Sequence, residues 1–295
     1  MENIEVVDTY PQFLEIWPEF QAVENSQKPD LWLADYISQY PELLQKQLDT
    51  YVERGFDWRS VALEHVFPYL NDRFTRMETA HAAIAAVLED TIDRSRSRFS
   101  FPDQLVVVIY VGIGCGAGWA TTYYGKPAIL LGLENIAECG WHTPVLLTGL
   151  ISHELGHLFH QEARMNLPEL PVKSQYWDLY EEGFAQRFEH WLAGANTYHM
   201  AQDINEEDWL SWCSSNLPHL AGLYLERARR NEAVNDFFGH WLNIEGRKQV
   251  GYFLGHELIR YLERSESVMD IARLNAIDET VEQFLIAMGQ PSAEN

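Results

Sequence analysis

The chain has 295 residues, room for one large domain or two small ones, and 46% of them are hydrophobic, enough to build a core. A formal net charge of −23 argues against nucleic acid and anionic membrane surfaces as partners. Three cysteines (Cys115, Cys139 and Cys213) with no CxxC pair exclude a disulfide framework and a cysteine zinc site. The acidic N-terminus has no leader-like apolar core and no apolar run reaches bilayer length, so a soluble, cytoplasmic protein is expected.

The first hundred residues read as a helical region. Pro11 opens a first helix with Thr9 as its cap, and Pro18 suggests a boundary. Pro41 opens a helix that runs to Gly55, and Asp57 caps a short one through Val66. A longer helix from about Asn71 to Arg94 carries Ala80, Ile84, Val87 and Leu88 on one side, with His81 as a structural histidine. Asp93 to Ser100, with three arginines and three serines, is the candidate linker, dividing residues 1–100 from a second domain at 101–295.

The character then changes. Leu105 to Val111 is a continuous, mostly β-branched run, read as a buried strand. Gly112, Gly114, Gly116 and Gly118 follow. They lack the lysine-Ser/Thr pair of a phosphate loop, and a strand from Trp119 to Tyr124 comes next, so a flexible hairpin loop is predicted. Pro127 to Glu134 is a further strand. The order strand, glycine loop, strand, then helix is that of an α+β fold.

The helix after these strands contains Ile151-Ser152-His153-Glu154-Leu155-Gly156-His157, an H-E-x-x-H sequence. Thr143-Pro144 starts it, an apolar run to Phe159 fills it, and Leu167-Pro168 ends it, which places the motif mid-helix. Residues four apart share a helix face, so His153 and His157 can present two imidazole nitrogens to one metal ion. Glu154, one step round, can take a proton from a water on that metal, the chemistry of a zinc hydrolase. His160 is one turn too far along to be a ligand.

Two histidines do not complete a catalytic zinc site. The next helix, Tyr176 to Gln186, offers Glu181 and Glu182. The aromatic stripe Trp177, Tyr180, Phe184, Phe188 and Trp191 lies nearer Glu181. Glu182-Gly183-Phe184-Ala185, however, resembles the N-E-G-F-A segment of the gluzincin metallopeptidases, the clan of thermolysin and the zinc aminopeptidases. That resemblance implies Glu182 as third ligand, with Glu181 replacing the family asparagine. Val250-Gly251-Tyr252-Phe253-Leu254-Gly255-His256 resembles the Y-x-x-G segment of the aminopeptidase branch, where the tyrosine meets the oxyanion. This implies that role for Tyr252, shared by His256, and the chemistry suits a hydroxyl donor. Gly132-Leu133-Glu134-Asn135 resembles the clan's G-x-M-E-N signature but lacks its methionine, and Glu134 is at most a substrate contact. In the clan the strand before the motif helix is the sheet edge for extended substrates, here Pro127–Glu134.

The motif set is similar to that of bacterial zinc-dependent proteases of the YjaZ-like kind. The resemblance covers roughly residues 101 to 290. It implies an α+β fold: a small mixed sheet packed on the motif helix, with a helical C-terminal part. It further implies one Zn2+ per chain, held by His153, His157 and Glu182, with Glu154 as general base and a peptide or protein as substrate. A non-catalytic scaffold that binds a peptide or partner, and a zinc hydrolase of non-peptide amides or esters, share these residues as alternatives. Of the other histidines, His142, His199, His219 and His240 read as core or surface residues, and His190 could reach the site only if its helix curves inward.

Overall fold

The computed structural model describes residues 4–99, 101, 104–167, 174–194, 198–202, 208–239 and 241–290. Their contacts divide the chain into two units. One joins residues 1–93 to 102–154, and the other joins 94–101 to 155–295.

In the first unit the buried run Leu105–Tyr110 forms strand β2, with all six residues inaccessible. A buried strand must have its main-chain donors and acceptors paired along both edges. Ile4–Asp8 (β1) runs parallel on one side, with Ile4 opposite Leu105. Lys126–Gly132 (β4) runs parallel on the other, with Val106 opposite Ala128. Gly118–Tyr123 (β3) lies antiparallel to β4 and completes the order β1-β2-β4-β3. Tyr124 and Gly125, at φ 46° and 75°, make the two-residue β3–β4 turn, whose left-handed residues match the strand twist. The fold is therefore mixed α/β with a small, four-stranded mixed sheet.

Several sequence expectations change here. The N-terminal region is not helical throughout. β1 is only five residues long, and its partner lies about a hundred residues away. Thr9 does not cap helix α1 (Tyr10–Ala22) with its side chain. Its hydroxyl bonds the Tyr36 hydroxyl at 2.6 Å and the Ile109 carbonyl at 3.0 Å, tying the end of β1 to β2. Pro18 lies inside α1, where the buried stripe Tyr10, Phe13, Trp17 and Phe20 outweighs one lost hydrogen bond.

Pro41–Arg54 (α2) is closed by the left-handed Gly55, and the Asp57 carboxylate caps the next turn through the Arg59 and Ser60 amides. Leu70–Arg98 (α3) runs through the expected linker. There Ser95 is buried, and the Ser97 hydroxyl bonds back to the Arg94 carbonyl, so these serines sit on helix rather than break it.

Pro127–Glu134 is not the sheet edge. β4 lies between β2 and β3, and the edge strands are β1 and β3. The strand stops at Gly132, and helix α4 (Leu133–Cys139) takes Leu133 and Glu134. Nor is the glycine segment a hairpin loop, because β2 and β3 both pair with β4 and the loop spans it.

Pro144–Arg164 forms one helix, α5, and the division between the units passes through it after Glu154. In the second unit, Gln175–Ala193 (α6) crosses Val250–Leu262 (α9) at two glycines. Between them, Trp209–Ser215 (α7) and Leu217–Arg229 (α8) precede α9, and Val268–Ala272 (α10) and Ile277–Gly289 (α11) follow it. A Cβ at Gly183 would overlap the Gly255 carbonyl, and one at Gly255 would fall 2.7 Å from Gly183 Cα. Phe99, Phe159, Phe188 and Trp191 fill the space beside α6 with touching rings. Among the described residues no helix is long and apolar enough to cross a membrane.

The helix crossing is backbone against backbone, so it cannot relax by moving a side chain. Gly183→Ala is expected to destabilise the protein by about 1–3 kcal/mol, the usual overpacking range, read from the midpoint of urea unfolding. An unchanged midpoint would mean that α6 and α9 separate without cost.

Candidate metal centre

α5 is 21 residues long, with Pro144 in its first turn and the Leu146 amide 3.5 Å from the Thr143 hydroxyl. It ends at Arg164, where the Leu167 amide bonds back to the Arg164 carbonyl. Pro168 lies outside the described residues. The H-E-x-x-H sequence therefore occupies the middle of the helix. His153 and Glu154 are buried and His157 is half-buried.

α6 starts from a cap, the Ser174 hydroxyl accepting the Trp177 amide at 3.2 Å. It is anchored by the buried Leu179, Tyr180 and Phe184. Gly156 lets it approach α5 closely. A Cβ there would lie 2.8 Å from Phe188 Cβ and 2.9 Å from Ala185 Cα. This approach brings Glu182 Oε2 to 3.4 Å from His157 Nε2. One ligand atom from each of His153, His157 and Glu182 lies within 4.8 Å of the other two. Glu181 is not in this group, and its carboxylate accepts the Trp177 indole N–H at 2.7 Å. Two imidazoles and one carboxylate converging in this way are a donor set suited to a divalent metal.

Glu154 sits against β3. A Cβ at Gly118 would overlap its Oε1, so only glycine lets the strand pass this close to the carboxylate. The loop that leads into Gly118 is pinned by side chains. Glu134, fully buried at the start of α4, accepts the Gly112 amide at 2.8 Å and the Gly114 amide at 3.3 Å. Asn135 accepts the Gly116 amide at 3.0 Å, and Gln47 accepts the Ile113 amide at 3.2 Å. The glycine amides thus cradle an internal carboxylate, and Glu134 is turned into the protein. Burial pushes the Glu134 carboxyl up to about 7 in spite of these donors.

His153 also belongs to a second group, with Glu189 and His199, all three buried. Glu189 accepts the His199 amide at 3.0 Å on one oxygen, and His199 Nδ1 at 2.7 Å and Gln186 Nε2 at 3.0 Å on the other. The sequence places His199 only as a core or surface residue and does not single out Glu189. The available signal was spacing: Glu182, Gln186 and Glu189 are at i, i+4 and i+7 and share one face of α6.

Tyr252 is half-buried in the first turn of α9, its ring edge-on to Phe238 at 5.5 Å. His256 is one turn further on and buried. Its Nδ1 is 2.8 Å from the Tyr198 hydroxyl and 3.3 Å from Glu257 Oε1, its Nε2 is 3.5 Å from Arg187, and its ring lies 4.1 Å from that of His190. Burial lowers its pKa, which favours the neutral ring. His160 is a packing residue, hydrogen-bonded to Tyr180 at 3.1 Å and stacked on Phe184. His81 bonds Asp8 at 2.7 Å, and His219 lies exposed beside Glu245. His240 falls outside the described residues.

Because its carboxyl is raised, Glu134 binds a proton more tightly in the folded than in the unfolded state between pH 4.5 and about 7. Its contribution to stability therefore falls as pH rises through that window, by up to about 3 kcal/mol in total. Glu134→Gln is expected to remove this slope. Unfolding in urea at several pH values should show the variant gaining on the wild type from pH 4.5 to 7 and level above. A pH-independent difference would contradict the raised carboxyl. Comparison with family models, curated proteins and solved structures gives no match to this chain.

Proposed function

We propose that the chain is a zinc-dependent peptidase of the gluzincin kind, with one Zn2+ held by His153, His157 and Glu182. The observation that carries this reading is the convergence of those three donors, with Glu154 the residue next to His153 in the motif. A His2Glu set is a known combination for catalytic zinc and leaves a position for water or substrate. Zinc in such a site supplies Lewis acidity, polarising a carbonyl and bringing the pKa of a water toward neutrality.

Glu154 acts as the proton carrier. It accepts a proton from the attacking water and delivers it to the leaving amine. Tyr252 donates its hydroxyl hydrogen to the oxygen that gains charge as the carbonyl is attacked. His256 has Tyr198, Glu257, Arg187 and the His190 ring as neighbours, and no proton-transfer step is assigned to it. The substrate is a peptide or protein segment in extended form. β3 ends the strand order and begins at Gly118, beside Glu154, so strand addition to β3 would carry a peptide carbonyl toward the general base.

Metal analysis by mass spectrometry tests the ligand set. Near one zinc per chain is expected for wild type and Glu181→Ala, and loss for Glu182→Ala. Loss in Glu181→Ala alone would move the third ligand by one residue. No zinc in the wild type after reconstitution would favour the non-catalytic alternative. Against a peptide library, Glu154→Gln should retain zinc and lose turnover, and Tyr252→Phe should lower kcat by about 10²–10³. Wild-type rates in Glu154→Gln would remove it from the mechanism.

A further inference from the structure

Glu134 lies outside the proposed ligand set, yet it is a fully buried carboxylate with its own set of donors. Glu134 holds Gly112 and Gly114, and its neighbour Asn135 holds Gly116, two residues before Gly118, the point where β3 touches Glu154. The segment is anchored at both ends. Tyr51 donates to the Ile113 carbonyl at 2.5 Å, and the Gly132 amide bonds the Ala117 carbonyl at 3.0 Å. A Cβ at Gly112 would fall 2.5 Å from Gln47 Oε1 and 2.7 Å from Glu134 Oε1, so the loop is packed directly on the side chains that bind it.

We infer that Glu134 is a positioning residue for Glu154: its carboxylate clamps the glycine loop and so fixes Gly118, and the start of the edge strand, against the general base. This inference rests on Glu154 being that base. The clamp depends on charge. An ionised carboxylate accepts both glycine amides, whereas a protonated one turns an O–H donor toward one of them and keeps a single strong acceptor.

The raised carboxyl puts that change near neutrality. Arg73, Tyr36 and Tyr110 are the titratable groups coupled to it, and Cys115 acts on Tyr110. Burial holds both tyrosines in their neutral form, Arg73 is paired with Glu138 at 2.9 Å, and Cys115 donates to the Gln47 carbonyl at 3.6 Å. Glu138 in turn takes the Asn135 side-chain amide at 3.1 Å, which orients the acceptor for Gly116. The inferred consequence is a loop that tightens as pH rises through about 7, the opposite trend to Glu134's contribution to global stability.

Amide hydrogen exchange on the full-length protein tests the clamp without reference to activity. In the wild type, protection of the Gly112 and Gly114 amides, corrected for intrinsic exchange, should be about tenfold higher above pH 8 than at pH 5.5. In Glu134→Gln it should be low and flat. Equal wild-type protection at both pH values would overturn the clamp, and this arm needs no variant to fold. For the zinc-loaded enzyme, Glu134→Gln should lower kcat about 10- to 100-fold, the scale of an ångström-level misplacement, with zinc content and KM retained. Lost protection with unchanged kcat would overturn the link to Glu154. If zinc-loaded wild type cleaves no peptide, the functional reading falls and the positioning role falls with it, while the exchange data still decide whether the clamp exists.

Discussion

A carboxylate removed from water must be met by donors, or it gives up its charge. That constraint organises much of this protein. Glu134 and Glu189 are both fully buried, and each is met on both oxygens: Glu134 by loop amides, Glu189 by a histidine, a glutamine and a main-chain amide. Glu154 is nearly as buried, with a glycine strand laid against it. Each arrangement fixes a piece of main chain: the glycine loop, the main chain at His199, and the start of the edge strand. Apolar burial supplies the bulk of the stability, while these polar contacts decide where the backbone runs.

The helices that carry the donors are placed by small residues. Gly156 lets α6 come close to α5, and Gly183 with Gly255 sets the crossing of α6 and α9. A helix face can be aimed this finely because a backbone contact has no rotamer freedom. Glu182 and Glu181 differ by a rotation of about 100° about the same helix axis. That rotation is what sends one carboxylate to His157 and the other to the Trp177 indole.

How much of this was legible depended on whether the signal was local. The motif helix was, because the cap, the apolar run and the i, i+4 spacing all sit within one segment. So was the Asp57 cap. β1 was not, since five residues become a strand only through a partner strand about a hundred residues on. The sheet order was also hidden. The apolar run of β4 fits an interior strand, but nothing in its own residues says that β3 folds back to become the edge. The glycines read as flexibility in the sequence, yet in the fold they are points of close approach. Glu189 and His199 needed the α6 face to be read two turns beyond Glu182.

The glycine loop also carries a chemical label of its own. Cys139 and Cys213 are buried, while Cys115 is half-buried within that loop. A small alkylating reagent would thus meet one of the three thiols well before the others. Electrophiles and peroxides select by the same rule of thiolate access, so oxidative damage to this protein would fall first on the segment that leads into the edge strand.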